Sequence, residues 1–370
     1  MRFGLEGGSW ANPRGYGRYL RSLHRALVSR GRHEWVLVLD SETAESSPAP
    51  RDAPVVVVES RFSAASGAAA NRSRSMGDMF RMSRALARAR FDALLFPSPH
   101  TYVPVRRARE IIVLHDVTAE RFPSLVFESR AAARRWRWKT RTAVRRARRI
   151  LTVSEHSRRG IAEIYRVDPA RITVAPEAAD PVFFEPPGPS GRPRPYFLFV
   201  GGLSPHKNLP LLLDAFSGVS GADLVLAGPF GTDLFHRGDL AGELRSGNLE
   251  ERVVFAGDLA DEKLRDLYAG ALALVLPSLD EGFGLPAVEA AAAGTAVIVS
   301  RSTAPAEFLG DAALTFDPRD ARELTRLLEL VRDNAAVRLD LARRARETVR
   351  LLSWEEAAKR VERAAEEAAS

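Results

Sequence analysis

The chain alternates short, continuous apolar runs with stretches of helical spacing on both sides of a proline-rich seam. Before the seam the runs fall at 35–39, 55–58, 93–96, 111–114, 150–153 and 172–174; after it they fall at 196–200, 223–227, 253–256, 272–276, 296–299 and 313–316. A run without polar alternation needs both faces buried, which a parallel sheet under helical crossovers provides. The expected fold class is therefore α/β, with two doubly wound parallel-sheet domains and ligands at the carboxyl ends of the strands. The seam, Glu185-Pro-Pro-Gly-Pro-Ser-Gly-Arg-Pro-Arg-Pro195, suits neither a helix nor a central strand. It sets domains at 1–185 and 196–352 with a linker at 186–195. Ser353 with Glu356 forms a capping box that opens a last helix, 353–370, expected to pack back toward the N-terminal domain.

Composition narrows the chemistry. With 0 cysteines there is no disulfide, no thiol nucleophile and no Cys-ligated metal. The opening Met1-Arg-Phe-Gly-Leu-Glu-Gly-Gly8 lacks the apolar segment of a signal peptide, and the longest apolar stretch, 290–299, is too short to span a bilayer. The expectation is a cytoplasmic protein whose membrane contact, if any, is peripheral on the inner face. Charge is uneven: residues 1–190 carry 33 Lys and Arg against 19 Asp and Glu, and the remainder 21 against 28. A basic half points to an anionic partner. Its densest part is a helix expected over 126–149, with Arg130, Arg134, Arg135, Arg137, Lys139, Arg141, Arg145, Arg146, Arg148 and Arg149 beside Trp136 and Trp138. Two readings of the arginine-rich 130–149 helix stay open, a solvated face or a surface for anionic lipid or a phosphorylated acceptor. No nucleic-acid reading motif accompanies it, so no nucleic-acid partner is expected.

Four stretches carry chemistry. Pro277-Ser-Leu-Asp-Glu-Gly-Phe-Gly-Leu-Pro-Ala-Val-Glu-Ala290 follows an apolar run, and Pro286 suits the first turn of a helix whose N-terminus would face an anion. Glu281 is placed in the loop before that helix and Glu289 in its first turn, both able to face one cleft. Phe199-Val-Gly-Gly-Leu-Ser-Pro-His-Lys-Asn208 joins a glycine turn to Lys207, one of four lysines, and suits a diphosphate without being a Walker loop. Asn12-Pro-Arg-Gly-Tyr-Gly-Arg-Tyr19 is a Gly-x-Gly turn before a helix. Ile111-Ile-Val-Leu-His-Asp116 puts a His-Asp pair at a strand end, with Arg121-Phe-Pro123 beyond. His24 reads as structural. The polar loop 60–75 and residues 97–104 are the expected acceptor contacts.

Together these residues resemble the retaining glycosyltransferases of family 4, in a mannosyltransferase-like branch, over nearly the whole chain. The resemblance implies a GT-B arrangement of two Rossmann-like domains with an interdomain cleft. The family pattern Glu-x-Phe-Gly-x-x-x-x-Glu is matched by Glu281, Phe283, Gly284 and Glu289. It implies that Glu281 meets the donor sugar hydroxyls, Glu289 the ribose, and the Gly284 and Leu285 amides the sugar or diphosphate. By the same resemblance Lys207 neutralises the diphosphate, with Gly202, His206 and Asn208 in its loop. His115 and Asp116 lie beside the reacting sugar, and Gly15 and Gly17 face the phosphate. Weaker marks include Val174-Ala-Pro-Glu-Ala178 and Ser353-Trp354. The chain departs from the family at Gly202, where many members carry an arginine, at His206, where some do, and at Ala178, where a glycine is usual.

The activity implied is transfer of a hexose from a UDP-, GDP- or dTDP-linked sugar to a hydroxyl of a saccharide, glycolipid or natural product. No Asp-x-Asp occurs, so no metal and no other cofactor is expected. Glu281 is not assigned as a nucleophile, unlike the carboxylates of glycosidases. Two alternatives remain at this level: a GT-B sugar-nucleotide epimerase or phosphorylase, and a non-catalytic basic docking protein.

Overall fold

The computed structural model describes residues 1–370 apart from 13–14, 51–52, 60–75, 229–241, 243 and 246. The acceptor loop expected at 60–75 thus lies outside the described residues. The chain divides into two units, Met1–Glu177 with Ser353–Ser370, and Ala178–Leu352.

In the first unit the strands are β1 (Arg2–Glu6), β2 (Glu34–Asp40), β3 (Val55–Val58), β4 (Ala93–Phe96), β5 (Glu110–Val113), β6 (Arg149–Thr152) and β7 (Ile172–Val174). They form one parallel sheet in the order β3-β2-β1-β4-β5-β6-β7. Six of the seven coincide with the apolar runs. The exception, β1, starts and ends on a charge and holds Gly4, so no run announces it. It nevertheless lies inside the sheet, Phe3 facing Trp35 in β2 and Ala93 in β4. Gly4 fits there because a Cβ would lie 2.5 Å from the Phe91 ring. Here register against two neighbours outweighs the weak local pattern.

In the second unit β8 (Tyr196–Val200), β9 (Asp223–Ala227), β10 (Val253–Gly257), β11 (Ala273–Leu276), β12 (Val297–Ser300) and β13 (Leu314–Phe316) form a parallel sheet in the order β10-β9-β8-β11-β12-β13. Phe197, Phe199, Leu212, Phe216, Leu324 and Leu328 pack into its core. Each such side chain contributes about 1.5–3 kcal/mol by burial. Strand order reverses between β1 and β4 in one sheet and between β8 and β11 in the other. Those reversals open crevices at the carboxyl edges.

The proline-rich segment 186–195, read from the sequence as a linker, lies within the second unit, whose chain begins at Ala178. Gly188 N–H donates to Asp266 Oδ1 at 2.8 Å, and Arg265 pairs with Glu185 and Asp266. A chain too rich in proline for a helix is thus still pinned by side chains. The arginine-rich helix is shorter than expected, Arg130–Arg146, because the Ser129 hydroxyl caps it by accepting from Ala132 N–H. Pro123–Val126 is a separate turn.

Helix Trp354–Ala369 joins the first unit, packing against helix Gly15–Arg30 and along β4, β5, β6 and β7. Its acidic side chains meet basic partners: Glu362 with Arg30 at 2.9 Å, Glu366 with His33 at 2.7 Å and Glu367 with Arg149 at 2.7 Å. Ser353 Oγ accepts from Glu356 N–H at 3.1 Å. Replacing Ser353 by Ala should ease opening of this helix by about 1 kcal/mol, which hydrogen exchange would read as about fivefold faster exchange of its amides.

Candidate active site

At the carboxyl edge of the second sheet, the loops after β8 and β11 meet at the strand-order reversal. After β8 a single 3-10 turn, Pro205–Lys207, ends at Asn208, whose φ of 56° is one that asparagine tolerates better than most residues. Asn208 Nδ2 donates to the carbonyls of Pro277 at 3.0 Å and Pro318 at 2.9 Å, tying this turn to the loops after β11 and β13. Leu279 N–H donates to the His206 carbonyl at 2.8 Å. So braced, Lys207 Nζ donates to Glu281 Oε2 at 2.6 Å, and Ser278 Oγ donates to the same oxygen at 3.2 Å. The ammonium and carboxylate expected to meet a diphosphate and a sugar therefore pair with each other.

Beyond Glu281 the chain turns through Gly284, at φ 79°, where a Cβ would lie 2.4 Å from Pro305. That residue caps helix Leu285–Ala292, which carries Pro286 in its first turn; Ala287 and Val288 N–H donate to the Gly284 carbonyl at 2.8 and 3.4 Å, which leaves the Leu285 amide at the helix start. Phe283 stacks on Phe308 at 5.3 Å and Ala304 N–H donates to the Glu281 carbonyl, so both sides of the turn are held. Glu289 departs from expectation. Because the helix starts at Leu285, Glu289 is its fifth residue, past the first turn, and is buried with its Oε2 accepting from Tyr268 OH at 3.0 Å. Gly202 leaves open space where a side chain would stand, whereas the crowded glycine is Gly228 after β9, where a Cβ would meet the Gly201 carbonyl oxygen at 2.2 Å.

At the edge of the first sheet, Gly7, Trp10 and Asn12 form the turn after β1: Gly7 N–H donates to Val38, Trp10 N–H to Gly7 and Asn12 N–H to Ser9. Gly15 and Gly17 were expected in a turn before the helix; they instead occupy its first turn, since those earlier residues already reverse the chain. A Cβ on Gly17 would lie 1.8 Å from the Asn12 carbonyl oxygen, while Gly15 faces open space. From this turn and the next, Tyr16 and Tyr19 pack edge-to-face with His115, with centroids 5.0 and 4.5 Å away.

The pair His115–Asp116 separates. Asp116 Oδ1 accepts from Thr118 N–H at 2.9 Å and caps the following turn. His115 lies with Nε2 3.1 Å from the Pro97 carbonyl, which can only accept, so Nε2 carries a proton; Nδ1 is 3.3 Å from Glu177 Oε1. Burial and the Glu177 charge push the Tyr19 phenol up, so it stays protonated. His100, between Tyr16 and Trp136, is pushed down to about 4 by burial and then by Lys139 and His115, so it is neutral at pH 7.

Glu177, Tyr268 and Ser278 carry roles that pattern reading did not assign. Glu177 was within the quoted Val174-Ala-Pro-Glu-Ala178, but nothing local pairs it with a histidine 62 residues earlier. His24 is buried against Trp10, in keeping with a structural role.

Residues 185–348 match the family described as Glycosyl transferases group 1, and residues 13–183 match Glycosyltransferase Family 4. An O-antigen chain mannosyltransferase B of Escherichia coli is 28% identical over 70% of this chain and 71% of its own length. An MMP alpha-(1->4)-mannosyltransferase of Mycolicibacterium hassiacum is 32% identical over 69% of this chain and 61% of its own length. An O-antigen chain mannosyltransferase of Salmonella typhimurium is 30% identical over 60% of each. The chain thus spans less than two thirds of the latter two. Among solved structures, a sucrose-phosphate synthase of Thermosynechococcus elongatus superposes with a TM-score of 0.76 at 18% identity over 98% of both chains. The HepE protein of Anabaena, in complex with UDP and glucose, gives 0.75 at 17% over the same shares. These likenesses establish the GT-B fold.

Two measurements test the geometry. Gly15→Ala should leave stability unchanged or raise it by about 0.5–1 kcal/mol, while Gly17→Ala should cost about 1–3 kcal/mol because a backbone carbonyl must move; urea unfolding compares them. Below its ordinary pKa His100 is protonated more readily in the unfolded chain, so its contribution to stability is lost as pH falls from about 6.5 toward 4. His100→Phe should lose less stability than the wild type between pH 7 and pH 5.

Proposed function

This chain belongs to glycosyltransferase family 4, and we propose that it moves a hexose from a nucleotide diphosphate sugar to an acceptor hydroxyl with retention and without a metal. The observation that carries the reading is the Lys207–Glu281 pair, 2.6 Å apart beside the start of helix Leu285–Ala292. A diphosphate offers Lys207 a stronger partner than Glu281, and the helix dipole and the Leu285 amide favour the same anion. When Lys207 changes partner, the Glu281 carboxylate is released to accept from sugar hydroxyls. Donor binding and sugar orientation are then one event. Glu289, held by Tyr268, is assigned to the ribose, and Phe283, Gly284, His206 and Asn208 shape the loop walls around it.

In the reaction the anomeric C–O bond breaks, its electron pair leaving on the diphosphate oxygen, which Lys207 and the helix end stabilise. The acceptor oxygen bonds to the anomeric carbon on the same face and passes its proton to the departing phosphate. His115, oriented by Glu177 and Pro97, lines the reacting sugar, and Asp116 positions it by holding the next turn. The names of the curated relatives favour mannose, and the complexes of a structural neighbour with UDP favour a nucleoside diphosphate. The acceptor is taken as a saccharide, a glycolipid or a natural product.

The partner exchange gives the test. Melting temperatures are measured with UDP, GDP, dTDP and ADP, each with and without EDTA. One nucleotide should stabilise the protein regardless of EDTA. Lys207→Ala should weaken it at least about tenfold, roughly 1.4 kcal/mol, while Glu281→Gln should bind it equally or more tightly yet transfer sugar about a hundredfold more slowly. Failure of every nucleotide at millimolar concentration would sink the reading.

A further inference from the structure

The arginine-rich helix Arg130–Arg146 has two distinct sides. On the inner side Arg146 pairs with the buried Glu110, Lys139 Nζ donates to the His100 carbonyl and Trp136 Nε1 donates to Glu120 at 2.7 Å. Those groups are used by the fold. On the outer side Trp138 is 69% exposed, with Arg134 four residues before it and Arg141 and Arg145 three and seven after. That spacing puts all four on one helix face. The three arginines are exposed, and none pairs with a carboxylate among the described residues. Tryptophan thus stands within a stripe of unneutralised guanidinium groups.

Beside this face lies a cleft of about 250 Å³ between the helix and helix Met76–Arg88, lined by Met79, Phe80, Tyr102, Pro104, Trp138 and Thr142. Phe80 is 67% exposed across from Trp138. Two large aromatic side chains left in water cost free energy unless something apolar covers them. The arginine stripe requires that the covering group also present anions.

We propose that this cleft is a docking site for an anionic phospholipid bilayer, with a hydrocarbon chain between Phe80 and Trp138 and lipid phosphates on Arg134, Arg141 and Arg145. Tryptophan at the depth of the headgroups with arginine reaching the phosphates is the usual division of labour at a membrane surface. Apolar burial supplies chain insertion, and each arginine near an anionic surface adds attraction that salt screens. No helix among the described residues is long and apolar enough to cross the membrane, so the contact is superficial. The site belongs to the first unit and is independent of the donor site in the second.

The experiment is flotation of the full chain with vesicles of phosphatidylcholine alone or mixed equally with phosphatidylglycerol, the lipids carrying brominated acyl chains that quench tryptophan. Binding to the mixed vesicles should exceed binding to neutral ones by about tenfold or more and fall with added salt. Arg134→Glu with Arg141→Glu should abolish it. Phe80→Ser with Trp138→Ser should weaken it about tenfold with an unchanged melting temperature, since both side chains are exposed in the fold. Trp138→Phe should remove the quenching. Water-soluble glycerol phosphate should not compete, which separates a bilayer from a free phosphate. Equal flotation on neutral vesicles, quenching that persists in Trp138→Phe, competition by glycerol phosphate or absence of flotation would each overturn the proposal. Lys207→Ala should float like the wild type, so a failed donor reading leaves this result intact.

Discussion

Parallel strands demand a crossover between every pair, and that one constraint arranges nearly everything else in the molecule. Each crossover returns the chain to the same edge, so the loops leaving the strands collect at the carboxyl ends. Where strand order reverses, adjacent crossovers go to opposite faces and leave a gap. Lys207 and Glu281 stand at that gap after β8 and β11. The glycine-bearing turn after β1 and the Pro97 carbonyl after β4 stand at the equivalent place in the other sheet, with His115 after the neighbouring β5. The chemistry is assembled by topology before any side chain chooses a partner.

What topology brings near, local hydrogen bonds then hold still. Asn208 in its left-handed conformation ties three loops through two carbonyls, and Gly284 gives helix Leu285–Ala292 its start because no side chain fits against Pro305. The histidine site is held differently, by rings: Tyr16, Tyr19 and His100 pack by their edges, and the polar grip on His115 reduces to one carbonyl and one carboxylate. An ion pair can exchange partners at small cost, whereas packed rings cannot. The two sites thus differ in how readily they respond to charge.

Much of this was legible in the residues. Twelve strands were visible as apolar runs because strands buried on both faces cannot hide their hydrophobicity, and the loops with Lys207 and Glu281 were visible because glycine, proline and charge cluster there. β1 was not visible, since its place depends on pairing with β2 and β4 and its own five residues are short and charged at both ends. With β1 missed, Gly15 and Gly17 were assigned to the wrong turn. Glu289 was placed one turn too early because a helix start is set by the capping residue, here Gly284, as much as by proline. The grip of Glu177 on His115 could not be read, being a contact between residues that only the closed sheet brings together.

Helix Trp354–Ala369 packs on the first unit, yet the whole of the second unit is encoded between Glu177 and Ser353. During synthesis the face of helix Gly15–Arg30 that carries Arg30 therefore waits while all of that intervening chain is made, at 5–20 residues per second a delay of roughly ten seconds or more. Throughout that interval β6 lacks the helix that covers it, and the carboxylate partners of Arg30, His33 and Arg149 have not been made. The unit made first is the one completed last, so its quality depends on how well a nascent, basic and partly uncovered domain is kept from other contacts in the meantime.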